Sequence, residues 1–363
     1  SDDRYSSNRN WGPRVDPGLY LTYFDGVARP YVAVKNNIDG FFRTGINTSN
    51  SLIVNKKTGK TGLRVTYTDM RDRDLLPKTH MARNTLNLRT NTNITKYVDL
   101  DFKVTYTHEN VHNRPAVADH RANIAKNLMT LSTTFDQAWL RDNYQDANGE
   151  YYNWNDGDRY NINPYWVLNK MSNDTKKDTY RGSAVIRYRP FKQMSLRATL
   201  GTDMNFLVFE DFAYPTSPGR EMGALTIKDY RNRTYTAEFL ASYRDRFKKL
   251  NYGATVGGNI YKVDNKTRII MAQNMVMRDA KALESFSERK IEEEPYCKQI
   301  NSVYGSLNLG YDNFAYMDMT LRGDYSSTLP IQNNLYWYPS VSGSFLFSEF
   351  FHINKKILPY GKV

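Results

Sequence analysis

Residues 98–108 read VDLDFKVTYTH, and the alternation in this stretch decides the fold. Five apolar side chains alternate with polar ones, as expected for a β-strand with one apolar and one polar face. A strand in a soluble sheet averages only five or six residues, whereas a strand that crosses a bilayer at a tilt needs about 9–11. The stretch therefore fits a membrane-crossing strand. Its lipid-facing residues would be Val98, Leu100, Phe102, Val104 and Tyr106.

The composition of the 363-residue chain fits this interpretation. A mean hydropathy of −0.68 and the lack of long apolar runs exclude transmembrane helices, but not barrel strands, which are half polar. The 28 Tyr residues suit either an ordinary soluble sheet or the aromatic girdles of a membrane barrel. The net charge of +12 is spread along the chain, so a nucleic-acid partner is not expected. The single cysteine, Cys297, excludes an internal disulfide.

Ten further segments alternate in the same way, and a twelfth strand is expected to start at Leu358. The ten segments are 46–54, 63–69, 84–93, 180–189, 194–205, 234–244, 250–262, 303–311, 315–326 and 337–347.

The connections between these segments alternate between short and long along the whole chain. The longest are 109–179, 206–233 and 263–302, and the short ones include 94–97, 190–193, 245–249 and 312–314. In an up-and-down meander, successive connections lie at opposite ends of the strands. The pattern therefore predicts an antiparallel transmembrane barrel with short periplasmic turns and long extracellular loops. A soluble β-sandwich or solenoid is the alternative, although loops this long are uncommon in compact domains.

Several motifs, in order along the chain, resemble the SusC/RagA family of TonB-dependent outer-membrane transporters. They are NWGPRVD (10–16), FFRTGINTSNSLIV (41–54), RVTYTDMRDRDLLPKT (64–79), RNTLNLRTN (83–91), NPYW (163–166), LRGDYSSTLP (321–330) and YPSVSGSFLFSE (338–349).

The resemblance implies a 22-stranded barrel in the bacterial outer membrane, with an N-terminal plug inside it. It also implies a SusD-like lipoprotein as a lid, and TonB as the partner that pulls on the plug. Large nutrients, either glycans or oligopeptides, would be imported. Plug and TonB box are expected before residue 1, and further strands after residue 363. Residues 1–45 would then join plug and barrel and hold the first strand region, and 46–363 would form part of the barrel.

Three groups of residues are candidate sites. Aromatic side chains in the longest loop could contact substrate or lid, or could instead form the loop's own small core: Trp154, Tyr160, Tyr165 and Trp166. Charged side chains on the polar faces are expected to face the lumen: Lys103, Arg181, Arg187, Arg189, Arg197, Arg322 and Asp324. Aromatic side chains near a strand end are expected in the extracellular girdle: Tyr336, Trp337 and Tyr338.

No cofactor is expected. DANGEYY (146–152) and NWNDGD (153–158) place oxygen ligands around a glycine, but the distal Glu of a calcium loop is missing, so turn formation competes with Ca²⁺ binding. No catalytic motif is present, so an enzyme is not expected, although an enzyme acting at the extracellular rim is one alternative to import. A barrel that serves only as a structural subunit of a larger outer-membrane complex is the other.

Overall fold

The computed structural model describes residues 12–278, 280–354, 356, 358 and 360–363. Within them, eleven strands form one antiparallel sheet in which every strand pairs with its neighbours in the chain. A separate two-stranded sheet precedes it. The predicted all-β meander is therefore confirmed. The expected start of a twelfth strand at Leu358 falls among partly undescribed residues, and the segment from 346 onward carries a short helix, Phe347–Phe350 (α4).

The small sheet consists of Asp16–Thr22 (β1) and Ala28–Tyr31 (β2). The large sheet comprises Ile46–Thr58 (β3), Thr61–Arg73 (β4), His80–Asn93 (β5), Val98–His112 (β6), Met171–Tyr188 (β7), Met194–Ala213 (β8), Ala224–Phe247 (β9), Leu250–Met275 (β10), Phe286–Tyr311 (β11), Ala315–Ser326 (β12) and Leu335–Phe345 (β13). Three helices lie between β6 and β7: Ile124–Met129 (α1), Gln137–Asp142 (α2) and Pro164–Lys170 (α3).

Over the part of the strands towards the short turns, the register keeps one face of the large sheet mainly apolar from one strand pair to the next. Leu86 lies opposite Tyr106, and Phe102 lies opposite Ala184. The row of Phe102 and Ala184 continues from strand to strand on the same face as far as Leu335 of β13. Paired residues in an antiparallel sheet share a face, so a slip by one residue would move a whole strand's apolar set to the other side. We call this the apolar face, and the opposite one the polar face.

The connections sort by end as predicted. Five short turns, 59–60, 94–97, 189–193, 248–249 and 312–314, lie at one end, the turn end. The connections 74–79, 113–170, 214–223, 276–285 and 327–334 lie at the other, the loop end. One of the two two-residue turns joins Thr58 to Thr61, and Gly59 there has a φ of +57°, which glycine adopts without strain.

Two of the predicted loops are much shorter than expected. The predicted loop 206–233 is reduced to 214–223, and 263–302 to 276–285, because β8 to β11 continue for 20 to 26 residues. These extensions have charged residues on both faces, so they lack the apolar alternation by which strands are recognised. The loop predicted at 109–179 is confirmed as the longest connection, with bounds of 113–170.

Residues 12–45 lie outside the large sheet. The β1–β2 hairpin packs against the 113–170 connection at the loop end, where Tyr23 and Phe24 join its buried core. Whether this stretch joins the barrel to a plug remains a prediction. Within the described residues 12–278, 280–354, 356, 358 and 360–363, no helix is long and apolar enough to cross a membrane.

Candidate functional site: a cap of interlocked loops and a charged face

The connection 113–170 folds around a hydrophobic core of its own. This core is shared with the hairpin and with residues near Phe41 and Leu76. Phe135 is fully buried, stacks on Phe24 with ring centroids 5.4 Å apart, and meets Trp154 at 5.7 Å. We call residues 16–45 and 113–170, together with 214–223 and 276–285, the cap.

The NPYW motif begins helix α3 and joins two loops. The Asn163 side chain accepts a hydrogen bond from the backbone N–H of Tyr165 at 2.9 Å, and Pro164 occupies the first turn, where a missing N–H costs nothing. Trp166 is fully buried and donates from Nε1 to the hydroxyl of Ser217 at 2.8 Å. The motif therefore fastens the longest loop to the β8–β9 connection.

Charged side chains also join the connections 276–285 and 74–79 to their neighbours. Lys281 contacts Glu210 at 2.6 Å and Asp174 at 3.4 Å, and Arg278 forms an ion pair with Glu150. Lys78 donates to the Asn169 side chain at 2.7 Å. The connections 74–79, 214–223 and 276–285 are therefore each joined to the longest connection.

Two titratable groups in the cap are shifted by their surroundings. Burial raises the pKa of Asp25, but the hydrogen bond and the charge of Arg29 outweigh burial, so the pKa of this carboxyl lies below its usual value. Arg29 also lies over the Trp139 ring, 4.1 Å from its centroid. Burial lowers the pKa of His120, whose Nδ1 accepts a hydrogen bond from the Ala122 N–H at 3.2 Å.

The four loop aromatics divide between core and surface. Trp154 and Trp166 are only 1% and 0% exposed, so the structure contradicts direct contact of these two with substrate or lid. Tyr165 packs on Phe41 at 5.2 Å and donates to Gln137. Tyr160, with 64% of its surface exposed, is the one of the four that a partner can reach. The ordering of this loop therefore comes from its own core and requires no covering protein.

The six predicted lumen residues that lie within strands are all on the polar face, opposite the row of Phe102. Arg189 follows the end of β7 and forms an ion pair with Asp99 of that face. Arg181 pairs with Asp203 at 2.7 Å, and Arg322 with Asp324 at 2.8 Å. That this face lines a lumen remains a prediction.

A larger polar network on this face joins four strands. Arg197 forms an ion pair with Glu238 at 2.9 Å, and the Tyr304 hydroxyl donates to the same carboxylate at 2.7 Å. The Arg322 guanidinium lies 5.3 Å from the Tyr304 ring centroid. Paired charges and hydroxyls give this face a hydrophilic surface without a large excess of either sign.

The girdle prediction is wrong for two of its three residues. Trp337 lies opposite Gly323 on the apolar face, and its ring fills the space beside that glycine. Tyr336 and Tyr338 lie opposite Asp324 and Arg322 on the polar face. Three consecutive strand residues cannot share a face, because side chains alternate.

The oxygen-rich turns of the longest loop satisfy backbone groups. Asp146 accepts from the N–H groups of Asn148 at 2.8 Å and Glu150 at 2.9 Å, and Asp158 accepts from Tyr160 at 2.8 Å. Over the described part of the chain, no cluster of three His, Cys, Asp or Glu residues is arranged to hold a metal ion. Calcium binding in 146–158 is untested.

Sequence reasoning missed the exposed apolar side chains of the cap. Val117, Met129, Met222 and Val276 are 63% to 74% exposed, a range that also includes Tyr160. These residues are separated by 12 or more positions and follow no helix or strand periodicity, so no local sequence pattern predicts their exposure.

The fold defined by this meander is that of TonB-dependent transporter barrels, and in particular of the SusC/RagA type. The RagAB peptide importer in its "closed-closed" state matches with a TM-score of 0.67 at 15% identity, over 89% of this chain and 36% of that one. The similarity at this identity concerns the fold. No protein-family model matches the chain.

Two curated proteins of Formosa agariphila are similar in sequence. TonB-dependent receptor P26 is 23% identical over 197 residues, which is 52% of this chain and 20% of that protein. TonB-dependent receptor P3 is 25% identical over 185 residues, 49% of this chain and 18% of that protein. The matched part of the chain thus spans about a fifth of the length of each relative.

Proposed function

We propose that this chain is part of a bacterial outer-membrane transporter that imports large nutrients together with a SusD-like lipoprotein, driven by TonB through a plug. The observation that carries the proposal is the separation of the two faces of the sheet over all eleven strands, together with the gathering of every long connection at one end. A barrel wall in a membrane needs an apolar exterior, a hydrophilic interior and one elaborated mouth. Outer-membrane lipid is then the partner of the apolar face.

Oligopeptides are the substrate class that we propose first. The similar RagAB structures are described as those of a peptide importer. The polar face offers paired carboxylates, guanidinium groups and amides, which can bond to the N–H and C=O groups of a peptide. Glycans, which use the same donors and acceptors, are the alternative that the uptake experiment tests.

We place the lid on the exposed apolar side chains of the cap. Exposed apolar groups at a rim are typical of protein contacts, and the cap exposes such groups on three different connections. Met129 and Tyr160 belong to the longest connection, Met222 and Val276 to its neighbours. A protein seated across the mouth would bury all of them together.

Uptake tests transport. Cells that lack the gene, and cells complemented with it, are given labelled oligopeptides or oligosaccharides above the size that porins pass. We expect gene-dependent, TonB-dependent accumulation of one class. A protein that is present in the outer membrane, while neither class depends on it, would favour the structural-subunit alternative.

Copurification from detergent-solubilised membranes tests the lid. Tyr160→Ser/Met222→Ser removes exposed apolar surface, while the matched variant Tyr160→Phe/Met222→Leu keeps it. We expect a surface lipoprotein to copurify with the wild type and the matched variant but to be depleted from the serine variant. If equal amounts of the lipoprotein copurify with all three proteins, the lipoprotein does not bind at this surface.

A further inference from the structure

On the apolar face, the aromatic and aliphatic side chains of β9 and β10 form a band. On the loop side of this apolar band, the same face carries many positive charges. Tyr235 and Ile260 are the last members of the band, and Lys262 lies directly opposite Tyr235. The five cations of this patch are Arg231, Arg233, Lys262, Lys266 and Arg268; the carboxylates that face them are Asp229, Asp264 and Glu293. Five positive charges against three negative ones leave an excess of two positive charges.

The height of the patch corresponds to the edge of the hydrocarbon layer. Tyr252 is the first aromatic residue of this row on β10, and Lys262 follows ten residues later on the same face. Ten residues of strand at a tilt of about 40° rise by roughly 25 Å, which is the height of the apolar band of membrane barrels. The basic patch therefore lies at the level of outer-leaflet headgroups, on the side that faces lipid.

The ion pairs within the patch leave part of its positive charge unbalanced. Asp229 pairs with both Arg231 at 2.9 Å and Arg268 at 3.3 Å, Lys266 pairs with Glu293 at 2.9 Å, and Arg233 reaches Asp264 only at 3.8 Å. These side chains are between 17% and 50% exposed. Arg233 also lies 5.8 Å from the centroid of the Phe206 ring on the same face. Such pairs contribute little to stability in water, so an anion that bridges two of these cations would compete well with the carboxylates.

An apolar groove of about 610 Å³ ends at this patch. The residues that line it include the small Gly182, Ala184 and Ala237, the larger Phe102 and Leu200, and Lys262 of the patch. A row of small residues on a lipid-facing surface leaves a depression in which a hydrocarbon chain gains contacts on several sides. Groove and cations together match a molecule with an acyl chain and an anionic headgroup.

We propose that this surface binds one phosphorylated, acylated lipid of the outer leaflet, with its phosphate between Arg233 and Lys262 and an acyl chain in the groove. The inference rests on the proposed outer-membrane location. It assigns to the lipid-facing side of the wall a specific ligand in addition to bulk membrane. The lipid would hold β7 to β10 together at the level where the sheet leaves the bilayer.

Native mass spectrometry of the complete polypeptide, as its own cell produces it, tests the site, with detergent-dispersed lipid A as the probe. Arg233→Gln/Lys262→Gln should lower lipid A binding about tenfold, because two charge-assisted contacts to the phosphate are lost. Lys56→Gln/Lys57→Gln, an equal change of charge at the turn end of β3, should leave binding unchanged. Ala184→Phe, which fills the groove, should weaken lipid A binding while both cations remain.

Three outcomes would overturn the proposal: unchanged lipid A binding in Arg233→Gln/Lys262→Gln, an equal loss in the β3 control, or displacement of lipid A by excess inorganic phosphate, which would identify a site for free phosphate. If the protein is found in the outer membrane and imports its substrate but shows no lipid A adduct, the inference fails and the proposed function stands. If the protein is absent from the membrane fraction, both fail.

Discussion

Single residues on β6 test which face of the sheet meets lipid. Phe102 lies on the apolar face opposite Ala184, and Lys103 on the polar face opposite Ser183. Phe102→Arg should lower the free energy of unfolding by about 2–4 kcal/mol, because a charge near mid-membrane loses its hydration. Lys103→Arg should be nearly neutral. Chemical unfolding in lipid vesicles measures both variants, and equal costs would contradict the assignment of the faces.

His120, an exposed residue whose ring is partly desolvated, should make the cap modestly sensitive to mild acid. Its folded-state pKa lies below the usual 6.5, chiefly because of burial. As the pH falls, the unfolded chain takes up the proton first, so the contribution of His120 to stability is complete above pH 6.5 and is lost as the pH falls towards the folded pKa. Protonation at Nδ1 also breaks the bond from Ala122.

Hydrogen exchange of the 113–170 segment at several pH values measures this effect. We expect exchange to be faster at pH 5 than at pH 7, after correction for the intrinsic rates, and His120→Gln to reduce the difference. A difference of the same size in the variant would show that another group titrates.

At the scale of elements, the stability of the longest connection depends on its core. Phe135 is fully buried among Phe24, Trp139 and Trp154. Phe135→Ala should cost about 3–5 kcal/mol in the cap, as removal of a buried aromatic ring does elsewhere. Limited proteolysis of intact cells should then cleave 113–170 faster. Tyr160→Ala, at an exposed position of the same loop, should leave the cleavage rate unchanged.

Eleven strands could be predicted from the sequence because lipid demands apolar residues on one face and the opposite face is polar. The alternation of apolar and polar residues from Val98 to Tyr106 follows from this requirement. Beyond the bilayer both faces meet water, and residues such as Lys262 and Asp264 erase the alternation while the hydrogen-bonded ladder continues. The sequence pattern therefore predicts loops where the strands continue.

The candidate site was less predictable for a different reason. The core of the cap joins Tyr23 and Phe24 to residues more than a hundred positions later, such as Trp154. A sequence shows that these side chains are aromatic and that the loop needs a core, but it does not show which of them face inward. The same limit explains why Tyr160 and Trp166, six residues apart, differ completely in exposure.

On the scale of the whole molecule, Cys297 reports the orientation in the membrane. It is an exposed free thiol on β11, and it lies on the loop side of the apolar band, opposite Asp264. A membrane-impermeant maleimide added to intact cells should label it. In Cys297→Ser/Lys60→Cys the thiol lies in the turn between β3 and β4, and labelling should require permeabilised cells. Labelling of Lys60→Cys in intact cells, with Cys297 protected, would invert the proposed orientation.

The meander also determines the order in which the chain can assemble. Every pairing in the large sheet joins neighbours in sequence, and β9 and β10 form 24 facing pairs from a turn of only two residues. The loop that this hairpin closes is very short, so the entropy cost of closure is small. Strand pairing can therefore start beside residues 248–249 and extend along the strands before any distant contact exists. The core of the cap, by contrast, must bring Tyr23 to Phe135 across more than a hundred residues. We therefore expect the hairpins of the wall to form before the core of the cap closes.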